Sequence, residues 1–331
     1  MALIDFFFFF FNFVRIATPI ITGHTYPRSM HISSLFNFQV FLTGFNNIPP
    51  PEIYRPVVLW HGLGDNYNGS GIHSVNDLIS GLYPGIFFHS IYIDEDPSGD
   101  QQKLLFGDAN KQVDQVCDQL KSIKQLASAE GIDAIGFSQG GVLLRGLIER
   151  CPHLSFHNLI TFGSPHMGVM EMPLCKDPRD WICKRRNELL KKQVWNDNVQ
   201  RKVLPAQYFR DPFEYEKYLK HSFYLADINN ERNEKNASYF TNLTKLNKLA
   251  LVTFTEDTTV VPKESAMFCD IDTNWKQTIP FDKTNLYVED YIGIKRLHEL
   301  GKIDFHFIEA AHMAISDEFV EEIALKYLGN T

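Results

Sequence analysis

The segment "GIDAIGFSQGGVLLRGLIER" (residues 131–150) places one serine between two glycines, where two sequence patterns meet. The apolar run Ile132–Phe137 precedes Ser138 and predicts a buried strand, and Val142–Ile148 predicts a helix. Residues 136–140 match G-x-S-x-G, the pattern of a nucleophile elbow. In such a strand–turn–helix the flanking glycines avoid Cβ collisions, and the serine hydroxyl reaches the carboxyl edge of the sheet. The segment therefore predicts that Ser138 is a nucleophile.

Strand-like and helix-like segments alternate along the rest of the chain. Residues 113–126 and 316–328 show helical periodicity, and Ser316 is the predicted N-cap of the last helix. This alternation predicts a mostly parallel sheet with helices on both faces, and with the elbow it predicts an α/β-hydrolase fold. The predicted strands are Pro56–Gly62, Ile86–Ile93, Ile132–Phe137, Leu159–Pro165, Leu249–Phe254 and Ile303–Ile308.

The strand pattern stops between residues 166 and 248. We interpret this segment as a helical insertion over the active-site edge of the sheet, inside a single domain of residues 53–331. The chain has 331 residues, 44% of them hydrophobic, which is enough for one large α/β domain or two ordinary ones. Its formal net charge of −8 argues against general nucleic-acid binding.

Residues 1–52 are predicted to be an N-terminal leader. The apolar stretch Phe6–Val14 is short, whereas a membrane span needs about 20 apolar residues. A second candidate signal starts at Met30 and contains the apolar stretch Leu35–Phe45, followed by a proline-rich exit. We therefore expect a secretory signal in this region, with Met30 as an alternative start, and no transmembrane segment in the mature chain.

A serine nucleophile needs a base, and the base needs an acid that orients it. In α/β hydrolases the acid and then the histidine follow the serine along the chain. Three histidines follow the fifth strand: His298 in a helical pattern, His306 within a strand, and His312 in the loop after the sixth strand. A loop at a strand end lets a base reach over the sheet, so His312 is the predicted base.

The acid should follow the fifth strand, where "TEDTTVVP" offers both Glu256 and Asp257. The residue pattern alone leaves this choice open. The oxyanion of the reaction needs two backbone N–H groups. One is predicted at Gln139, directly after the nucleophile, and the other at Leu63 in "HGLG". His61 in that loop is interpreted as an orienting hydrogen-bonding residue.

The cysteines show no zinc-binding spacing, and we predict neither a metal nor a cofactor. Three N-x-S/T sequons, at Asn68, Asn236 and Asn242, together with the leader indicate an oxidising, secretory compartment. Cys175 and Cys183 are close enough in sequence to close one loop, which leaves Cys269 as an odd thiol. The five cysteines are Cys117, Cys151, Cys175, Cys183 and Cys269.

From residue 56 onward the chain resembles the palmitoyl-protein thioesterases. The stretches "LADINNER" and "YVEDYIGIK" lie away from the serine motif and distinguish this family from other hydrolases better than G-x-S-x-G does. The resemblance rests on the stretches "VVLWHGLGDNY", "IGFSQGGVLLRGLIERCP", "FGSPHMGV", "HSFYLADINNERNEKNASY", "DTTVVPKESAMF" and "TIPFDKTNLYVEDYIGIKRLHELGKI".

The resemblance assigns roles to individual residues. It places Ser138, Asp257 and His312 on the family's catalytic triad, which favours Asp257 over Glu256. It also places Leu63 and Gln139 on the oxyanion donors. Disulfides are implied for Cys117 with Cys151 and for Cys175 with Cys183, and glycosylation is implied for Asn236. The chain departs from the family at Asn66 and Tyr67, which replace a cysteine pair, and in the "GSPHMGV" stretch.

The resemblance implies cleavage of long-chain fatty acyl thioesters, with S-acylated proteins or peptides and acyl-CoA as substrates. It also implies a lysosomal or secreted location. Val260 and Val261 are candidates to line the acyl groove, although core packing explains them equally well. Two alternatives stay open at this point: a secreted lipase or carboxylesterase of the same fold, and a non-catalytic acyl-binding protein. The sequence predicts no oligomeric state.

Overall fold

The computed structural model describes residues 54–172, 181–274 and 276–329. The predicted leader, including Met30, lies outside these residues. Cys175, one partner of the predicted disulfide with Cys183, also lies outside them.

The centre of the molecule is a parallel sheet of six strands in the order β2-β1-β3-β4-β5-β8. All six predicted strands are present, and the α/β-hydrolase fold class is confirmed. Two further strands, β6 and β7, form a separate antiparallel pair that the sequence analysis did not predict. The strands are β1 Val57–Trp60, β2 Phe88–Ser90, β3 Ile132–Phe137, β4 Phe156–Phe162, β5 Lys248–Phe254, β6 Asp270–Ile271, β7 Thr278–Ile279 and β8 Ile303–Ile308.

Helices connect the strands and cover both faces of the sheet. The sequence analysis made no prediction for α1 and α2, whereas Ser316 caps α14 as predicted, its hydroxyl accepting a bond from the Phe319 amide at 3.3 Å. Short 3₁₀ turns occupy Pro212–Glu214, Lys263–Met267 and Phe281–Lys283. The α-helices are α1 Ser70–Leu82, α2 Pro97–Lys103, α3 Ala109–Ser122, α4 Lys124–Ala127, α5 Gln139–Arg150, α6 Trp181–Lys192, α7 Asp197–Lys202, α8 Leu204–Gln207, α9 Tyr215–His221, α10 Leu225–Ile228, α11 Ala237–Leu243, α12 Asn285–Val288, α13 Ile294–Glu299 and α14 Asp317–Tyr327.

The sheet divides the hydrophobic core into two layers. Alternate residues of a strand point to opposite faces, and β1 shows this directly. Val57 and Leu59 pack with α1 and α14, whereas Val58 and Trp60 pack with α3, α5 and the insertion. The central strands are therefore buried on both faces, which explains why they read in the sequence as continuous apolar runs.

The insertion between β4 and β5 consists of helices α6–α11 and is anchored on α5. Arg145 of α5 is fully buried and donates to Glu149 Oε1 at 2.9 Å, to the Ile228 carbonyl at 3.1 Å and to Asn229 Oδ1 at 2.6 Å. Burial raises the pKa of Glu149 to about 7, against the lowering effect of Arg145. The insertion is thus bonded to the same helix that begins directly after Ser138.

One disulfide joins two helices on the insertion side of the sheet. Cys117 of α3 is bonded to Cys151, the C-cap of α5, with their Cα atoms 5.9 Å apart. Cys269 is buried and has no disulfide partner among the described residues. Within the same residues, no helix is long and apolar enough to span a bilayer.

Candidate active site

Ser138 stands at the sharp turn between β3 and α5. Its backbone has φ 49° and ψ −119°, a conformation that L-residues rarely adopt. A Cβ on Gly136 would lie 2.7 Å from the Gly141 nitrogen, and a Cβ on Gly140 would lie 2.6 Å from the His61 carbonyl oxygen. Both glycines of G-x-S-x-G are therefore required by close backbone approach, and the turn has the geometry expected of a nucleophile elbow.

His312 lies in the loop between β8 and α14 and contacts Ser138. Its Nδ1 is 2.6 Å from Asp257 Oδ2, and its Nε2 is 2.9 Å from Ser138 Oγ. Because a carboxylate only accepts, Nδ1 carries the proton and donates it to Asp257. Nε2 is then free to accept the serine hydroxyl proton. Gly163, which follows β4, leaves room for the ring, since a Cβ there would lie 3.0 Å from His312 Cε1.

Asp257 follows β5 and is held by its own loop. Its second oxygen, Oδ1, accepts from the amides of Thr259 at 2.7 Å and Val260 at 3.0 Å. The carboxylate is almost fully buried, whereas the alternative acid, Glu256, is exposed. The structure thus brings Ser138, His312 and Asp257 into one hydrogen-bonded chain.

The other two candidate bases make contacts elsewhere. His298 on α13 is exposed, and its Nδ1 lies 2.9 Å from the Tyr287 hydroxyl. His306 on β8 is half-buried and contacts the Tyr327 hydroxyl at 2.7 Å, and burial lowers its pKa. Both residues contact tyrosines rather than the serine.

The loop that follows β1, residues 61–67, runs beside the serine. We call it the β1 loop. A Cβ on Gly62 would lie 3.1 Å from Ser138 Cβ, and Leu63 is part of a turn closed by an Asp65 amide to Gly62 carbonyl bond of 3.3 Å. Gln139 is the first residue of α5, so its amide has no acceptor within the helix. The amides of Leu63 and Gln139 therefore belong to the two segments that flank Ser138.

Asp100 is a buried residue of the site that the sequence analysis missed. Its Oδ2 accepts from His61 Nε2 at 2.8 Å and from the Tyr67 amide at 2.9 Å, and its Oδ1 accepts from the Ile93 amide at 2.7 Å. The surrounding "DPSGDQQK" reads as a polar turn, and nothing in that pattern indicates burial. His61 is also fully buried, in keeping with its interpretation as an orienting residue.

An open apolar groove with a volume of about 490 Å³ is lined by residues from the segment after β4, from the insertion and from the segment after Asp257. Val261, four residues after Asp257, lines it. Val260 differs, since its side chain is 3% exposed and packs in the core while its amide bonds to Asp257. The groove is lined by Met170, Phe213, Val261, Pro262, Ile271 and Lys276.

The three sequons differ in accessibility. Asn68 and Asn236 are exposed, as a glycan acceptor requires. Asn242 is 7% exposed, and its Nδ2, the atom that would carry the glycan, donates to the Glu149 carbonyl at 2.8 Å. In the folded chain Asn242 is therefore a less accessible acceptor than Asn68 and Asn236, and glycosylation at the three sequons stays a prediction.

Comparison with known proteins identifies the family. The palmitoyl protein thioesterase family model matches residues 56–312. Palmitoyl-protein thioesterase 1 of Caenorhabditis elegans is 38% identical over 279 residues, covering 82% of this chain and 91% of the relative. Palmitoyl-protein thioesterase 3 of Dictyostelium discoideum is 30% identical, covering 83% of this chain and 90% of the relative.

A further relative, the lysosomal thioesterase PPT2 homolog of Drosophila melanogaster, is 31% identical, covering 76% of this chain and 82% of the relative. The matched range contains every residue of the Ser138–His312–Asp257 chain as well as the β1 loop. On the extent of these matches, this chain belongs to the palmitoyl-protein thioesterase family.

Proposed function

We propose that this protein hydrolyses long-chain fatty acyl thioesters on the S-acylated cysteines of proteins or peptides, using Ser138, His312 and Asp257 as a catalytic triad. The observation that carries the proposal is the continuous contact from Asp257 through His312 to Ser138, at 2.6 and 2.9 Å. Family membership supports the thioester as the bond that is cleaved.

In the first half of the reaction, Ser138 Oγ attacks the thioester carbonyl carbon while His312 Nε2 takes the hydroxyl proton. Asp257 holds the imidazole in the required tautomer and stabilises the imidazolium that forms. The tetrahedral oxyanion accepts hydrogen bonds from the Leu63 and Gln139 amides. The C–S bond then breaks, and the leaving thiolate takes the proton from His312 Nε2, which returns the imidazole to its neutral form. A cysteine thiol has a pKa near 8.5, so this leaving group needs less help from a proton donor than an alcohol does.

In the second half, His312 accepts a proton from water, and the hydroxide equivalent attacks the acyl-serine ester. Collapse of the second tetrahedral intermediate returns the proton to Ser138 Oγ and releases the fatty acid. Neither half requires a metal or a redox cofactor, because every bond change is an acyl transfer with a proton moving between oxygen, nitrogen and sulfur.

The apolar groove supports a long acyl chain as the group that is bound. A volume of about 490 Å³ is in the range of ligand pockets. Each buried CH₂ contributes roughly 0.8 kcal/mol, so an apolar groove discriminates strongly by chain length. Acyl-CoA presents the same thioester and acyl chain, and we include it among the substrates.

A secretory, lysosomal location is proposed from three observations. One relative is named a lysosomal thioesterase, the Cys117–Cys151 disulfide suits an oxidising compartment, and two exposed sequons are available. Treating the purified protein with an N-glycosidase tests passage through the secretory pathway. We expect the mass of the protein to fall as glycans are removed from Asn68 or Asn236.

The decisive experiment measures hydrolysis of a palmitoyl-cysteine peptide and of palmitoyl-CoA by the wild type and by Ser138→Ala. We expect turnover by the wild type and its loss in the variant. A glycerol ester is assayed in parallel. A wild type that reacts with a fluorophosphonate and cleaves only the glycerol ester would support a lipase or carboxylesterase. Binding of palmitate without fluorophosphonate labelling would support a non-catalytic acyl-binding protein.

A further inference from the structure

A buried, hydrogen-bonded carboxylate and imidazole lie next to the candidate site, and neither side chain reacts in the proposed acyl transfer. Asp100 and His61 are both fully buried, and the carboxylate and the imidazole are 2.8 Å apart. Burying a carboxylate is costly unless it is paired and hydrogen-bonded. Asp100 meets that condition with three donors, from His61, Tyr67 and Ile93.

These bonds connect helix α2 to the β1 loop at regular intervals. Asp100 holds the His61 side chain at the start of the loop and the Tyr67 amide at its end. The next residue of α2, Gln101, donates from Nε2 to the Gly64 carbonyl between them. The loop is thus fixed to α2 at positions 61, 64 and 67, and Leu63 lies between the first two attachments.

The opposite side of the same loop contacts the nucleophile. Gly62 approaches Ser138 so closely that an added Cβ would lie 3.1 Å from the serine Cβ. Asp100 Oδ1 also accepts from the Ile93 amide, which ties the segment after β2 to the same carboxylate. A single buried carboxylate therefore links the segments after β1 and β2 to α2, at the carboxyl edge of the sheet.

We propose that Asp100 is a positioning residue: it holds the β1 loop so that the Leu63 amide is fixed beside Ser138 before substrate binds. This inference rests on the proposed function, in which that amide binds the oxyanion. Donors to a developing oxyanion are effective because they are already in place and need no reorganisation during the reaction. Asp100 acts through the loop and does not contact the reacting atoms.

The first test is Asp100→Asn. One oxygen remains to accept from Ile93, but the amide nitrogen cannot accept from the Tyr67 amide and from His61. We expect kcat for the palmitoyl-cysteine peptide to fall about 10- to 100-fold, less than or equal to the effect of deleting one oxyanion donor, while KM changes by less than about 3-fold.

A second readout separates positioning from a general loss of structure. A long-chain trifluoromethyl ketone adds to the serine and forms a tetrahedral oxyanion, whereas palmitate does not. We expect the affinity of Asp100→Asn for the ketone to fall by about the same factor as kcat/KM, with palmitate affinity unchanged. Asp133→Asn is the matched control, because Asp133 is an equally buried aspartate, paired with Arg55 at 3.0 Å. This control should leave ketone affinity unchanged.

Gln101→Ala keeps the inference testable if Asp100→Asn does not fold, because Gln101 is only partly buried. We expect the same pattern with a smaller fall in kcat. The inference is overturned if the folded variants keep wild-type kcat and ketone affinity, or if palmitate affinity falls together with ketone affinity. Failure of the proposed function gives a different result, namely a wild type without thioester turnover or a Ser138→Ala variant that retains it.

Discussion

Replacing Gly140 by alanine should disrupt the elbow more than any other one-carbon change at the site. An alanine Cβ would lie 2.6 Å from the His61 carbonyl oxygen and closer still to that of Trp60. Ordinary van der Waals contact begins at about 3.4 Å, so the start of α5 and the end of β1 must separate by about 1 Å. Both are backbone segments, and no side-chain rotation relieves the clash.

This separation should lower the rate of hydrolysis because it displaces the two proposed oxyanion donors. Gln139 lies on the α5 side of the Gly140 contact, and the β1 loop lies on the other side. Misplacement by about 1 Å can cost about 100-fold in rate, and overpacking of a core costs about 1–3 kcal/mol. We therefore expect kcat of Gly140→Ala to fall by about 100-fold or more. A loss of 1 kcal/mol in the free energy of unfolding lowers the Tm of a chain this size by about 2–4 °C, so we expect Tm to fall by several degrees.

Gly71→Ala is the matched control, since it makes the same substitution in helix α1, where an added Cβ meets nothing within 4 Å. Alanine is favoured over glycine in a helix by about 1 kcal/mol, so Tm should be unchanged or slightly higher, with normal activity. Both variants would be measured by thioester hydrolysis and scanning calorimetry. Wild-type kcat and Tm for Gly140→Ala would refute the argument from close backbone approach.

Three further predictions concern the acid, the disulfide and a buried carboxyl. Asp257→Asn should lower kcat about 10³- to 10⁴-fold with little change in KM, because the amide favours the wrong imidazole tautomer; a loss below 10-fold in steady-state assays would contradict this. Replacing both Cys117 and Cys151 by alanine opens a loop of sequence separation 34 and should cost about 4 kcal/mol in urea unfolding, and a cost below about 1 kcal/mol would count against it. Burial raises the pKa of Asp133 to about 7, with Arg55 opposing the shift. The folded chain therefore retains a proton that the unfolded chain loses, and this term adds stability as pH falls from about 7 to about 4. The difference in Tm between the wild type and Asp133→Asn should increase as the pH is lowered from 8 to 5. A difference that does not change with pH would exclude this linkage.

The site residues that could be predicted from the sequence are those whose place along the chain is fixed by a motif or by the order of the catalytic residues in the fold. Ser138 follows from the motif between a strand and a helix, and the chain order of acid and base restricts the candidates to a few residues after β5. Between Glu256 and Asp257 the local pattern is symmetrical, and only the tertiary contact with His312 separates them. The strands were identifiable because a parallel sheet buries both of its faces.

Asp100 could not be predicted because its burial depends on contacts with distant segments. Its partners His61 and Ile93 belong to the segments after β1 and β2, and the polar "PSGDQQK" helix has no apolar stripe. Asn242 is the reverse of Asp100: its sequence pattern suggests a site, whereas its side chain is buried. A sequon is a local pattern, whereas its accessibility is decided by the packing of α11 on α5. The β6–β7 pair has two residues per strand, too few to give a periodic signal.

The all-parallel central sheet also determines when the site comes together during folding. No two of its strands can pair as a hairpin, so every pairing closes a long stretch of chain, a topology that folds slowly. His312 follows the edge strand β8 and is 174 residues away from Ser138. During synthesis the proposed nucleophile, Ser138, is made long before the proposed base, His312. If these roles are correct, a ribosome-bound chain lacking β8 would carry Ser138 in an inert form, and hydrolytic activity would begin only when the last strand docks.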